Sequence, residues 1–134
     1  MKLNEIFNSD NKALNKFQKK LQQETQVKKI TETKFSIQFP MYRIDGELYE
    51  IFLIKEDEQF YLSDEGFTYN ELDRIFELSE PDVIKNLVAI LKRYDCKKKE
   101  KCFIIECSSE DAIIKASHLI QAMSFMLNMM IFYV

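Results

Sequence analysis

The sequence predicts an α+β fold in a single domain spanning residues 1–134, and three observations support this prediction. A chain of 134 residues, 46% of them hydrophobic, is long enough to bury one core. Apolar and polar residues alternate between residues 26 and 63, as in half-buried strands. Elsewhere apolar residues recur every three or four positions, as on a helix face. We expect a small antiparallel sheet of about four strands, packed with an N-terminal helix, two middle helices and a long apolar C-terminal helix.

The first half of the chain is expected to form one helix and a three-stranded meander. Residues 1–25 are predicted to be an amphipathic helix, because five apolar residues share one face: Leu3, Phe7, Leu14, Phe17 and Leu21. The meander covers residues 26–63, and its first hairpin is marked by the turn dipeptide Asp45-Gly46. A polar turn at residues 55–58 separates its second strand from its third.

Two middle helices are expected over residues 68–95. Thr68 and Glu71 have the spacing of a capping box, in which each side chain satisfies a backbone N–H of the other residue. Ser79 stands two residues before a proline that suits the first helical turn, so Ser79 is the expected cap of the second helix.

The last third of the chain is expected to form one strand and one helix. A lysine-rich turn from Lys97 to Lys101 leads into a strand over residues 101–107. The final helix covers residues 109–134 and is capped by one of the two serines at its start. No charged residue occurs from residue 116 onward, yet polar residues interrupt the stretch, so membrane insertion is not expected.

A helix that is apolar nearly all round is buried in a core or against a partner. One small domain covers only part of such a helix, and large exposed apolar patches are uncommon on soluble monomers. We therefore expect a homodimer through the C-terminal helix, with Met123, Met126 and Met130 at an adaptable interface.

Composition and charge exclude several classes of function. The sequence has two glycines, Gly46 and Gly66, which is too few for a phosphate-cradling loop or a dinucleotide fingerprint. Its net charge of −3 disfavours nucleic-acid binding, and no aromatic residue interleaves with its lysine runs to stack bases. One histidine and three cysteines without paired spacing match no zinc pattern, so no metal and no cofactor is expected. Unpaired cysteines and a polar N-terminus favour the cytoplasm.

The segment from Tyr61 to Gly66 is the strongest candidate for chemistry, because it ends a strand and precedes a helix. Together with Asp45, the side chains of Asp64 and Glu65 could hold a metal ion for a hydrolase or nuclease. Ser63 and its neighbours are also what a tight strand-to-helix turn requires, and we favour the turn. A metal-dependent hydrolase and a DNA-binding regulator acting through the lysine-rich turn are therefore alternatives.

Three pieces of the sequence occur in a fixed order: Phe39-Pro40-Met41-Tyr42-Arg43-Ile44-Asp45, then Tyr61-Leu62-Ser63-Asp64-Glu65-Gly66, then Leu72. This order resembles a prokaryotic family of unknown function, the one numbered eighteen twenty-eight, over about Lys34 to Met126. The resemblance implies a small protein of prophages and mobile elements and brings no established reaction with it.

We therefore expect a small cytosolic protein that binds another protein, and the most specific form of this expectation is a phage-encoded inhibitor of a host defence complex. An acidic chain suits competition for a basic surface on a host protein. The residues expected to contact the partner are polar or acidic: Asp45, Glu56, Asp57, Glu58, Ser63, Asp64 and Glu65.

Overall fold

The computed structural model describes residues 24–132, so the helix predicted over residues 1–25 lies outside the described part of the chain. The described elements follow in this order: β1 (Gln26–Thr31), β2 (Lys34–Tyr42), β3 (Leu48–Glu56), β4 (Gln59–Ser63), α1 (Phe67–Asp73), α2 (Pro81–Arg93), β5 (Lys97–Lys99), β6 (Cys102–Cys107) and α3 (Ala112–Phe132). The strands form one antiparallel sheet in the order β1-β2-β3-β4-β6-β5. The α+β class is confirmed.

The described sheet has six strands where four were expected, because its two edge strands lack apolar alternation. β1 buries only Val27, and β5 consists of three exposed lysines. Both are strands because their backbones pair with β2 and β6, which no side-chain pattern reveals. The predicted turn over Lys97–Lys101 is therefore wrong in part: it is β5 followed by a tight turn, with Glu100 at φ 58°.

Lysines mark both edges of the sheet. Lys28 and Lys29 are exposed on β1, and Lys97–Lys99 make up all of β5. Charged side chains and short edge strands disfavour pairing with a strand of another molecule. Both edges are thus protected against strand addition.

The core lies between the sheet and α3. Leu53, Leu62 and Ile105 stand opposite one another on β3, β4 and β6, and each is almost completely buried. α3 contacts these three strands and also packs against α1 and α2. Alternate strand residues, such as Phe52 and Tyr61, point away from this core and are only half-buried.

The starts of the helices differ from the predicted caps. α1 begins after Gly66, whose left-handed backbone (φ 83°) carries no side-chain cap, so the Thr68–Glu71 capping box is wrong. α2 begins after Glu80, and the Ser79 hydroxyl donates to Glu77 instead of capping the helix. α3 begins at residue 112 rather than 109.

α3 is buried over most of its surface. Met123 and Met126 are at most 1% exposed, whereas Ile114 and Phe125 are 45% and 49% exposed. Within residues 24–132, no helix has both the length and the apolar character that a bilayer crossing requires.

Candidate functional site

The junction between β4 and α1 is organised by the buried carboxylate of Asp64, which is 1% exposed. Its Oδ1 accepts backbone N–H bonds from Gly66 at 3.1 Å and from Phe103 at 2.9 Å, and its Oδ2 accepts the N–H of Thr68 at 3.2 Å. The backbone N–H of Asp64 in turn donates to the carbonyl of Phe103. The carboxylate thus extends the β4–β6 pairing beyond Ser63 and caps the first turn of α1.

Burial raises the pKa of Asp64 above its usual value, although the three N–H donors act in the opposite direction. All three hydrogen bonds of this carboxylate are made to the protein's own backbone. This arrangement suits a structural anchor better than a ligand of a metal ion or a general base.

Asp45 lies at the β2–β3 hairpin and is bound to Arg43. The guanidinium donates to both carboxylate oxygens of Asp45, at 3.1 and 2.9 Å, and lies 4.3 Å from the ring centroid of Phe67. Arg43 therefore joins this hairpin to the start of α1. The hydrogen bond from Arg43 is the main reason that the pKa of Asp45 is lowered.

Glu65 forms an ion pair with a residue of β2, since its carboxylate lies 3.3 Å from the ammonium group of Lys34. Asp45, Asp64 and Glu65 thus have separate partners. Among residues 24–132, no group of three His, Cys, Asp or Glu side chains is placed to hold a metal ion. The convergence that a metal-dependent hydrolase requires is not present in the described part of the chain.

The most exposed sequence-predicted residues lie at the β3–β4 hairpin, and we call Glu56, Asp57 and Glu58 the acidic tip. All three are exposed. The two central residues both have left-handed backbones, with φ of 50° for Asp57 and 66° for Glu58. A two-residue turn of this kind favours asparagine or aspartate at its first position and glycine at its second, so the backbone is strained chiefly at Glu58.

The sheet topology brings further acidic residues to the same end of the molecule. β4 runs antiparallel to β6, so Glu106 lies near the acidic tip. Glu58, Asp95, Glu106 and Asp111 line one shallow cavity, which also contains Lys115. Glu58 is separated from the other three acidic residues by 37 to 53 residues along the chain, so this clustering was not visible in the sequence.

Lysines of the sheet interact with this end as well. Lys99 lies 3.6 Å from the Glu56 carboxylate, and Lys97 lies 3.6 Å from that of Glu106. The Tyr61 hydroxyl donates to Glu56 at 3.2 Å, and the pKa of Tyr61 is raised by burial first and by Glu56 second. In the described residues, neither Asp57 nor Glu58 takes part in an ion pair, so these two side chains carry the accessible negative charge.

Residues 39–126 match the model of the family described as Domain of unknown function DUF1828. The chain belongs to this family. No curated protein and no solved structure matches the chain significantly. The region matched to the DUF1828 family begins at Phe39, inside β2, and ends within α3. It therefore includes the Asp64 junction, the acidic tip and β5.

The cysteines of this DUF1828 chain are poorly suited to nucleophilic chemistry. Burial raises the pKa of both Cys96 and Cys107 to about 12, so the reactive thiolate form is scarce at neutral pH. No hydrogen bond joins Cys107 to His118 within the described residues, and the buried Nδ1 of His118 has no partner there.

Two of the three methionines expected at a dimer interface are not on the surface. Met123 and Met126 are buried within the core of the chain itself, and the side chain of Met130 lies outside the described ones. Among residues 112–129 of α3, the exposed large apolar side chains are Ile114 and Phe125.

Proposed function

We propose that this DUF1828 protein is a small protein-binding accessory protein that contacts its partner through the acidic tip. The observation that carries the proposal is the exposure of two acidic residues, Asp57 and Glu58, on strained left-handed backbone. Such a conformation costs on the order of 1–3 kcal/mol for each non-glycine residue, and it is concentrated at sites that contact ligands. A turn selected for folding alone would carry glycine in place of Glu58.

The partner that suits this surface is a basic protein surface. Electrostatic complementarity gives association speed and specificity, and the accessible carboxylates at this end of the sheet supply the negative side. Competition for a nucleic-acid-binding surface of a host defence complex is the specific form of the proposal. Its prophage setting is supported by the family resemblance alone.

The test compares three forms of the tagged protein in capture from nuclease-treated host lysate. Asp57→Asn/Glu58→Gly removes two charges from the acidic tip, and Asp73→Asn/Glu77→Gln removes two exposed charges elsewhere. We expect one stoichiometric partner to bind the natural chain and the second variant, to be released by salt, and to be lost from the first variant. Retention of the partner by the first variant contradicts the proposal.

The same variant gives a stability prediction that separates binding from folding. Asp57→Asn/Glu58→Gly is expected to raise the free energy of unfolding by about 1 kcal/mol, because asparagine and glycine adopt positive φ with less strain. Urea unfolding followed by circular dichroism measures the change. A destabilised variant would show that the acidic side chains support the fold, and its loss of a partner would then say nothing about contact.

A homodimer through the C-terminal helix stays a prediction, with Ile114 and Phe125 as the available contact residues. Light scattering coupled to size exclusion, at protein concentrations from 1 to about 100 μM, would detect such a dimer if its affinity lies in the micromolar range. A mass equal to one chain at every concentration would contradict it.

A further inference from the structure

The segment from residue 92 to residue 101 concentrates positive charge at one side of an acidic chain. It holds six basic residues and two acidic ones, and thus has a net charge of +4 in a protein of net charge −3. The rest of the chain therefore carries −7. We call this segment, which comprises the end of α2, β5 and the β5–β6 turn, the basic edge.

Aromatic rings from other elements lie beneath the cations of the basic edge. The ammonium groups of Lys98 and Lys101 both lie near the ring of Tyr69 in α1, at 5.6 and 5.7 Å from its centroid. Lys99 lies 5.3 Å from the centroid of Tyr61 in β4. Five of the eight cation–ring contacts in the described residues involve the basic edge. The run from Lys97 to Lys101 contains no aromatic residue, but the fold places rings of other elements beside it.

The lysines of the basic edge are accessible to an incoming anion. Lys98 and Lys101 are exposed and form no ion pair within residues 24–132. Lys97 and Lys99 pair with carboxylates at 3.6 Å, but these partners are more than half exposed. Exposed ion pairs contribute little free energy, so the phosphate groups of a bound strand can replace these carboxylates as partners of the two lysines.

The arrangement of cations and rings favours one class of polyanion. Cations beside aromatic rings are typical of surfaces that bind single-stranded nucleic acid, where phosphates meet lysines and bases stack on rings. A duplex would need a basic helix that fits a groove, and the exposed middle of α2 presents Ile84 and Val88 with a single lysine, Lys85. We infer that the basic edge binds single-stranded nucleic acid through Lys98 and Lys101, with Tyr69 as the stacking ring.

This inference goes beyond the proposed protein-binding function and uses different residues. The Lys99–Glu56 ion pair joins the two surfaces. The protein partner is contacted through Asp57 and Glu58 and nucleic acid through Lys98 and Lys101, which take no part in that pair, so the two proposals can fail independently. Variants of the acidic tip are expected to bind nucleic acid as well as the natural chain does, or slightly better, because they remove negative charge.

The test measures fluorescence anisotropy of a labelled 20-nucleotide oligothymidine at several salt concentrations. The variant Lys98→Gln/Lys101→Gln is compared with Lys28→Gln/Lys85→Gln, which removes two exposed lysines outside the basic edge. We expect the first variant to bind about tenfold more weakly than the natural chain. The magnitude of the slope of log K against log salt is expected to decrease by about 1.4, at about 0.7 for each of two lost phosphate contacts. The second variant is expected to bind like the natural chain.

Four results would overturn the inference. They are an absence of salt-dependent binding by the natural chain, equal weakening in both variants, tighter binding to a 20-base-pair duplex than to oligothymidine, and equally effective competition by polyglutamate. Tyr69→Phe keeps the ring and is expected to retain binding. Circular dichroism and size exclusion confirm that the lysine variants are folded and monodisperse, since lysines also protect this sheet edge.

Discussion

Asp64→Ala is expected to lower the free energy of unfolding by at least about 3 kcal/mol. The change leaves three backbone N–H groups without an acceptor, those of Gly66, Thr68 and Phe103, and each such group costs about 1–3 kcal/mol when it is buried. Because domains of this kind are stable by about 5–15 kcal/mol in total, the loss is large. Urea unfolding measures it, and hydrogen exchange at the Phe103 amide shows whether the β4–β6 link has opened.

Two further variants make this result specific. Asp64→Asn is expected to lose less stability than Asp64→Ala, because the amide keeps one acceptor oxygen. Some loss remains, since at least one backbone N–H then faces the amide NH2 donor. Asp45→Ala removes a carboxylate that is itself 55% exposed, and a much smaller loss is expected. Equal and small losses at both aspartates, together with loss of a hydrolytic activity, would restore the metal-dependent alternative.

The pH dependence of stability follows from the same carboxylate. Burial raises the pKa of Asp64 above 3.8, so the folded chain holds a proton at pH values where the unfolded chain has released it. The resulting stability is present below pH 3.8 and is lost as the pH rises through the folded-state pKa. We expect the stability difference between the natural chain and Asp64→Asn to shrink across this range. A difference that grows with pH would mean that the N–H donors outweigh burial.

Met123→Ala is the second change with a large expected effect, a loss of about 2–5 kcal/mol in the free energy of unfolding. Met123 is 1% exposed, so truncation leaves a cavity in the core rather than a gap at a surface. Thermal and urea unfolding at low protein concentration measure this loss without a contribution from association.

Phe125→Ala is the matched control on the same helix. Phe125 is 49% exposed, with Tyr94 and the Arg93 guanidinium beside its ring, so its removal is expected to cost less than about 1 kcal/mol. If a dimer forms through α3, Phe125→Ala weakens it and Met123→Ala destabilises each chain. The opposite pattern, in which Met123→Ala changes only the oligomeric mass, would mean that the interface is where the sequence placed it.

The central strands and the helices of the second half were predictable because their side chains carry the information. In β2 apolar and polar residues alternate from Lys34 to Phe39, and in β3 and β6 buried residues alternate with less buried ones, since one face of each strand packs on the core. β1 and β5 hold too few buried residues to alternate, and they are strands because a neighbouring backbone pairs with them. A hydrophobic pattern reports burial, so it cannot reveal an exposed strand.

The candidate sites, like the strands, were predictable from the sequence only in part. The sequence marked the polar turn at Glu56–Glu58 and the Ser63–Gly66 junction, because acidic residues, serine and glycine are typical of turns. It could not show that both central residues of the acidic tip have positive φ, since neither is asparagine or glycine. The Thr68–Glu71 capping box was predicted from local spacing alone. In the structure the buried carboxylate of Asp64 accepts the backbone N–H of Thr68 instead.

Composition, periodicity and turn residues thus determined the fold class, the core strands and the acidic character of the exposed hairpin. Long-range packing determined the partners of individual side chains: Asp64 meets Phe103, 39 residues away, and lysines of β5 meet the rings of Tyr61 and Tyr69. Local patterns record what each residue does with its sequence neighbours. A hydrogen bond or ring contact between distant segments depends on the pairing of β4, β6 and β5, and that pairing exists only once the whole sheet has formed.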